Sequence, residues 1–391
     1  MKLLLRRLIG MVAGMAAVWL IGFLLAGRAG AQSGQAAAAS KPQTAGQVFK
    51  NVTTSTLKGI TVDDFMGSMG VMAAALGFCC ADCHTGAGTD KVDWVYDTDK
   101  KKTARKMVEM VAAINRTNFG GAQMVTCWTC HHARDIPSTT IALDTLYGPP
   151  NDEKDDILPP ANGEPSANDI LDKYLQALGG AQRLASLTSF VATGTQVGYT
   201  DVKGGGQFEI DAKAPDQRAV SITFKDAPDR GNQTRAYDGH VGWVNTPRSL
   251  LGEYEVTGSE LDGLRLDAEL SFPAQIKQAL TNFRVGYPDS LNGREVEVVQ
   301  GSGPRGLLAT LYFDKQSGLL VRMIRFSKSP IGHAPTQVDY SDYRDVNGIK
   351  FPFQYTFSWL DGKDSFQLSE VKTNVPIDAA KFGRPAPGTR H

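Results

Sequence analysis

Cysteine is almost absent from most of this chain of 391 residues: all five (Cys79, Cys80, Cys83, Cys127 and Cys130) fall in one short stretch, and none follows Cys130. A disulfide framework therefore cannot hold the C-terminal two thirds, which must rest on a hydrophobic core. Histidine is scarce too, at six residues, which limits the supply of imidazole ligands. There is no net charge, with 41 basic against 41 acidic residues, and this removes the general electrostatic argument for nucleic acid as a partner. No Ser-His-Asp arrangement, pair of catalytic carboxylates or phosphate loop stands out. Gly301-Ser302-Gly303-Pro304-Arg305-Gly306 fits G-x-G-x-x-G by pattern, but it lies between two predicted strands and contains Pro304, which argues against a dinucleotide site.

What is present begins with an export signal. Lys2, Arg6 and Arg7 precede an apolar run from Leu8 to Ala26, which leads into the small-residue site Ala29-Gly30-Ala31. Residues 1–31 read as a signal peptide or an uncleaved anchor, so the rest of the chain is expected in the periplasm or another extracytoplasmic compartment, membrane-associated if the anchor stays. At this length two domains are the default expectation. After a small-residue linker at 32–44, residues 45–134 read as helical: Asp63 and Asp64 precede an apolar stretch from Phe65 to Phe78, and Met107, Met110, Val111 and Ile114 recur at helical spacing. Residues 135–165 are rich in Pro, Asp and Asn and read as a second linker.

The third region, 166–387, starts with a predicted helix from Asp169 to Leu178 and continues as nine predicted strands: 189–195, 207–212, 219–225, 294–300, 307–314, 319–327, 336–343, 350–359 and 366–372. Asp238-Gly239, Asn292-Gly293, Asn347-Gly348 and Asp361-Gly362 supply turns, and a helical insertion is expected over 259–281, broken at Pro273. Sequential strands on short turns imply a mainly antiparallel, strongly curved sheet or open barrel.

The chemistry lies in an internal repeat. Cys80-Ala81-Asp82-Cys83-His84 and Cys127-Trp128-Thr129-Cys130-His131 are both Cys-x-x-Cys-His, the sequence of c-type haem attachment. Two thiols three positions apart share one side of a helical turn, where both can form thioethers with the haem vinyl groups, and the adjacent His84 or His131 then reaches the iron. A dithiol enzyme does not need the following histidine twice over, and two such repeats in an exported chain favour haem over zinc. The expected cofactors are two covalently bound haems c. Methionines cluster ahead of each motif: Met66, Met69 and Met72 before the first, Met107 and Met110 before the second. They are either core residues or candidates for the sixth iron ligand. The leftover Cys79 is expected to be a small buried residue. The basic run Lys100, Lys101, Lys102, Arg105 and Lys106 is either a solvated helix face or a docking patch, with Arg105 as the candidate partner of a haem propionate.

Phe65-Met66-Gly67-Ser68-Met69 before the first motif resembles the cytochrome subunit of photosynthetic reaction centres, as do Arg105-Lys106-Met107-Val108-Glu109-Met110 and Val125-Thr126-Cys127-Trp128-Thr129-Cys130-His131 in the second unit. The resemblance covers residues 45–134 and implies a helix bearing an axial methionine beside each haem. Carried over residue by residue, it implies Met69 (or Met66) for the first iron and Met107 (or Met110) for the second. This chain has two motifs where members of that family usually bind four haems. The C-terminal region resembles the half-barrel domain of lipoprotein-carrier proteins, with the ending Glu370-Val371-Lys372-Thr373-Asn374-Val375-Pro376. The expected fold is multidomain α+β: a helical dihaem c-type cytochrome domain, then a mainly antiparallel curved sheet, the half-barrel, with inserted helices.

The expected function is electron transfer between redox donor and acceptor proteins, by an electron carrier rather than an enzyme. The alternatives are a haem peroxidase or reductase with one open iron, or a redox-linked protein whose C-terminal domain binds a lipid, a quinone or another hydrophobic ligand, or a partner chain.

Overall fold

The computed structural model describes residues 42–385, apart from 90, 142, 149–156, 199–204, 226–230 and 247–250. The export signal at 1–31, most of the linker at 32–44 and part of the linker at 135–165 lie outside the described residues.

A short helix α1 (Ala45–Val48) leads to α2 (Val62–Leu76). The Thr61 hydroxyl caps α2 by accepting from the Asp64 N–H at 3.2 Å, and Asp63 and Asp64 set negative charge against the positive end of the helix dipole. Gly77 ends it at φ +66, where a Cβ would also lie 2.5 Å from the Ala133 carbonyl oxygen, so only glycine suits the position. The one-turn helix α3 (Cys80–Cys83) holds the first motif, α4 (Asp99–Asn118) follows, and α5 (Cys127–His131) holds the second. Among the described residues no helix is long and apolar enough to cross a membrane.

Beyond α6 (Leu143–Tyr147), α7 (Ala167–Leu178) and α8 (Ala181–Ala185), the chain forms one antiparallel sheet of fourteen strands. They are β1 (Ser189–Gly198), β2 (Gly206–Lys213), β3 (Gln217–Thr223), β4 (Gln233–Tyr237), β5 (Gly242–Asn245), β6 (Glu253–Val256), β7 (Thr281–Val285), β8 (Asp289–Leu291), β9 (Arg294–Ser302), β10 (Leu308–Asp314), β11 (Leu320–Ser329), β12 (Gly332–Val346), β13 (Ile349–Trp359) and β14 (Gly362–Thr373). The order runs β6-β5-β4-β3-β2-β1-β14-β13-β12-β11-β10-β9-β7, with β8 beside β9. The first strand pairs with the last, and the sheet stays open with β6 and β7 at its ends. The insertion between β6 and β7 is α9 (Gly258–Leu270), a 3-10 turn at Pro273–Gln275 and α10 (Ile276–Ala279).

Helix α7 buries Ile170, Leu171, Tyr174, Leu175 and Leu178 on the sheet, among Phe190, Phe313, Phe351 and their neighbours. Fully burying a Leu or Ile is worth about 1.5–3 kcal/mol, so this helix is a principal clamp on the sheet. The haem-motif segment shares a second core with the sheet, in which Val71 and Ala75 of α2, Val108 of α4 and Cys127 of α5 meet Ile331 of the β11–β12 turn. All nine predicted strands are present. The five others, β4 to β8, have three to five residues each, too short for an alternating pattern to stand out.

Candidate haem-attachment site

Each Cys-x-x-Cys-His sequence folds into a capped single turn. At the first, the Cys79 N–H donates to Asp82 Oδ2 at 2.8 Å, satisfying a backbone donor at the helix start. At the second, Thr126 and Thr129 cap reciprocally: the Thr129 N–H donates to Thr126 Oγ1 at 3.3 Å and the Thr126 N–H to Thr129 Oγ1 at 3.0 Å. In each motif both cysteines lie within one short helix, and all five cysteines are free.

The imidazoles follow directly. His131 Nδ1 lies 2.9 Å from the Arg134 carbonyl oxygen, which can only accept, so Nδ1 carries the proton and Nε2 presents its lone pair. His84 packs edge-on against Trp94 with centroids 4.9 Å apart, and its buried Nδ1 has no hydrogen-bond partner. Burial, with the Lys101 charge second, holds the His84 imidazole below its ordinary pKa and favours the neutral ring.

The two turns sit in different surroundings. Cys80 is exposed and Cys83 half-buried, its thiol pushed up by burial, whereas Cys127 is buried and its thiol is pushed up to about 11 by desolvation. Cys130 is exposed. The first turn is held by α4: the Thr98 hydroxyl donates to the Cys83 carbonyl oxygen at 3.1 Å, and Lys100 lies 3.5 Å from Asp82. The second is held by the sheet: the Cys127 N–H donates to the Ile331 carbonyl oxygen at 3.1 Å and Gln123 Nε2 to the Ser329 carbonyl oxygen at 2.8 Å. Buried Asn115 shapes the approach to the second turn, its Oδ1 accepting from the Met124 and Val125 N–H groups at 3.1 and 2.9 Å and its Nδ2 donating to the Val125 carbonyl oxygen at 2.7 Å.

Four candidate axial methionines separate by face. In α2 the buried side is Ser68, Val71 and Ala75; Met69 falls on the opposite side by helical spacing and is partly buried. Met66 lines the cavity of the sheet, with Asp63, Gly67 and Gly70. In α4 the buried side is Val108, Val111 and Asn115; Met107 is partly buried beside it, and Met110 is 43% exposed.

Other expectations change. Cys79, expected to be buried, is exposed, because it is the N-cap residue of a surface turn. The basic run is largely neutralised within its own neighbourhood: Lys100 meets Asp82, Lys102 meets Asp99, Arg105 pairs with Asp97, and Lys101 Nζ donates to the Trp94 and Tyr96 carbonyl oxygens at 2.9 Å. Gly301 and Ser302 end β9, and the rest of the stretch makes the connection to β10 through a short 3-10 turn at Pro304–Gly306, in which Arg305 lies 2.6 Å from Asp262 of α9; no α-helix starts there. Among the described residues no group of three or more His, Cys, Asp or Glu side chains converges as a metal site of the zinc kind. Ile331 was not legible as a site residue, since its role depends on a contact with Cys127 that is remote in sequence.

Two short capped turns, each offering two free thiols and a histidine, preceded by methionine-bearing helices, match a known pattern. Residues 25–158 match the photosynthetic reaction centre cytochrome c subunit family. The match ends before the sheet begins, and no curated protein matches the chain. The sheet is similar to that of a DUF1329 family protein from Desulfovibrio piger, at 11% identity over 55% of this chain and 96% of that one, with a TM-score of 0.38. It is also similar to a LolA superfamily protein from Nitrosomonas europaea, at 13% identity over 56% and 99%, with a TM-score of 0.39.

Covalent haem c is the cofactor that the cytochrome c match implies. The donor set fits it: free thiols three residues apart, the His131 ring oriented by a backbone carbonyl, and a buried His84 nitrogen without a partner. The same match implies redox partners.

Proposed function

We propose that the chain is an exported dihaem c-type cytochrome that carries electrons outside the cytoplasm. Cys80 and Cys83 would hold one haem and Cys127 and Cys130 the other, with His84 and His131 as proximal ligands and Met69 and Met107 completing the two irons. The observation that carries this reading is the duplicated turn with free thiols and an adjacent histidine, in the segment that matches a cytochrome c family. Haem c, when bound, supplies a one-electron iron couple whose potential is raised by methionine relative to a second imidazole. The protein residues do the rest: the thiols anchor, the Arg134 carbonyl oxygen orients His131, and Trp94 shields His84 from water. Met69 is favoured over Met66 because Met66 belongs to the wall of the sheet cavity.

Intact mass after denaturation should show two covalent haem additions; one or none would sink the reading. Met107→His should lower the potential of one haem only and keep it six-coordinate. Carbon monoxide should not bind the reduced protein; binding at either iron would favour a peroxidase or reductase instead. A second reading concerns the sheet, where a cavity of about 670 Å³ lined mainly by apolar and aromatic side chains supports a bound hydrophobic ligand.

A further inference from the structure

The cavity in the curved sheet contains a buried cation that the fold does not fully use. Arg325, on β11, lines the cavity and is 1% exposed. Its Nε and Nη1 have no hydrogen-bond partner, and Nη2 is 3.5 Å from Asp267 Oδ2, the limit of a hydrogen bond. A guanidinium offers five donors in a planar fork, and leaving most of them unmet in a buried site is strongly unfavourable. By contrast, exposed Arg305 reaches Asp262 at 2.6 Å.

The surroundings keep Arg325 in place. A Cβ on Gly263 of α9 would lie 1.8 Å from Arg325 Nη1, so the helix carries a residue without a side chain where the guanidinium rests. Arg218 of β3 also lines the cavity and donates only to Ser271 Oγ, at 3.0 Å. Tyr340 and Tyr355 line it too, and burial pushes both phenols up, so they remain protonated donors. Five acidic residues lie in the wall. Glu260 lies 3.7 Å from Arg235, Asp63 accepts from the Thr257 N–H and hydroxyl at 2.7 and 2.9 Å, and Asp364 accepts from Gln196 Nε2 at 2.8 Å. Asp267 is the distant partner of Arg325 itself, and Asp361 is exposed, whereas the buried wall atoms without a partner are Arg325 Nε and Nη1 and Arg235 Nε. The unmet polarity is therefore cationic and hydrogen-donating, set in an apolar chamber with Phe190, Ile210, Leu320, Met323 and Phe366.

We infer that the cavity binds an anionic amphiphile, a single apolar chain ending in a carboxylate or phosphate, with the head group on Arg325 and Arg218. The inference rests on the reading that the cavity holds a hydrophobic ligand, and adds the charge of its head. A planar fork facing an oxyanion forms bidentate, charge-assisted hydrogen bonds, which are among the strongest available to a buried guanidinium.

The test is titration calorimetry of the full-length holoprotein with hexadecanoate, hexadecyl phosphate and hexadecanol. Either anion should bind about tenfold or more tightly than the alcohol, the effect of roughly 1.4 kcal/mol from the charged contact. Arg325→Met should bring the anion that bound down to the affinity of the alcohol without lowering the melting temperature, because it also removes a buried unmet charge. Arg325→Lys should keep part of the preference. A preference for one anion over the other distinguishes a fatty carboxylate from a phosphate head. Alcohol bound as tightly as both anions, or a preference unchanged by Arg325→Met, would overturn the anionic site while leaving the hydrophobic cavity standing. No binding of any of the three would overturn both.

Discussion

The two attachment turns share five-residue chemistry but not the means by which they are held. The first is fastened to its own neighbour, α4, through Thr98 and Lys100, and its cysteines face or approach solvent. The second is fastened to the sheet through Ile331 and Ser329, and its first cysteine is part of a buried cluster. An identical motif can thus be a local surface feature in one copy and a tertiary joint in the other. Local contacts make the first turn independent of the sheet, whereas the second should report on any change at the β11–β12 turn.

The largest test removes the thiols. Replacing Cys80 and Cys83 together by serine should lose one covalent haem by mass with little further change in the apoprotein. Replacing Cys127 and Cys130 should lose the other and also lower stability, since a polar serine would stand in the Val71–Ile331 cluster at a cost of about 1–3 kcal/mol. Equal melting temperatures for the two double variants would remove the asymmetry.

Next in size is Gly332→Val. A Cβ at Gly332 would approach Val71 Cγ1 to 2.8 Å and Thr126 Cβ to 3.6 Å, so overpacking of about 1–3 kcal/mol is expected in denaturant unfolding. The optical signature of the second haem should shift and that of the first should not.

The helix of the first unit has its own link to the sheet insertion, and that link titrates. Asp63 accepts two hydrogen bonds from Thr257, yet desolvation outweighs them, and its carboxyl is pushed up from 3.8 to about 6. The folded state then binds this proton more tightly than the unfolded chain. The resulting stability is fully present below pH 3.8 and is lost as pH rises through about 6, on the order of 3 kcal/mol. Asp63→Asn should flatten that part of the stability profile in chemical denaturation; an unchanged slope would show that Asp63 ionises normally.

The smallest effect belongs to the local side of the comparison. Thr98 caps α4 by accepting from the Lys101 N–H and also holds the Cys83 carbonyl oxygen, so Thr98→Ala should cost about 1 kcal/mol. Hydrogen exchange should quicken around the first turn and leave the second unchanged.

Much of this molecule was legible from local pattern. Both Cys-x-x-Cys-His turns, the helices around Val71 and Val108, the Asn-Gly turns at Asn292 and Asn347 and the nine longer strands all express short-range rules of spacing, capping and alternation. The exposed Cys79 departed from expectation, and the pairing of Arg105 with Asp97 was not foreseen, because burial and ion pairing depend on which surface lies opposite. A sequence carries the residues of such contacts but not their juxtaposition.

The sequence by itself determined that two thiols and a histidine share each turn, because residues within five positions meet whatever the rest of the chain does. It also determined the antiparallel sheet, through strands long enough to alternate. Only the tertiary structure decided that Cys127 is buried against a β-turn some 200 residues away, that Met66 belongs to a cavity wall while Met69 does not, and that Arg325 lies unmet beneath Gly263. These depend on loop closure and packing between distant segments, where the free energy comes from surfaces brought together rather than from any local preference.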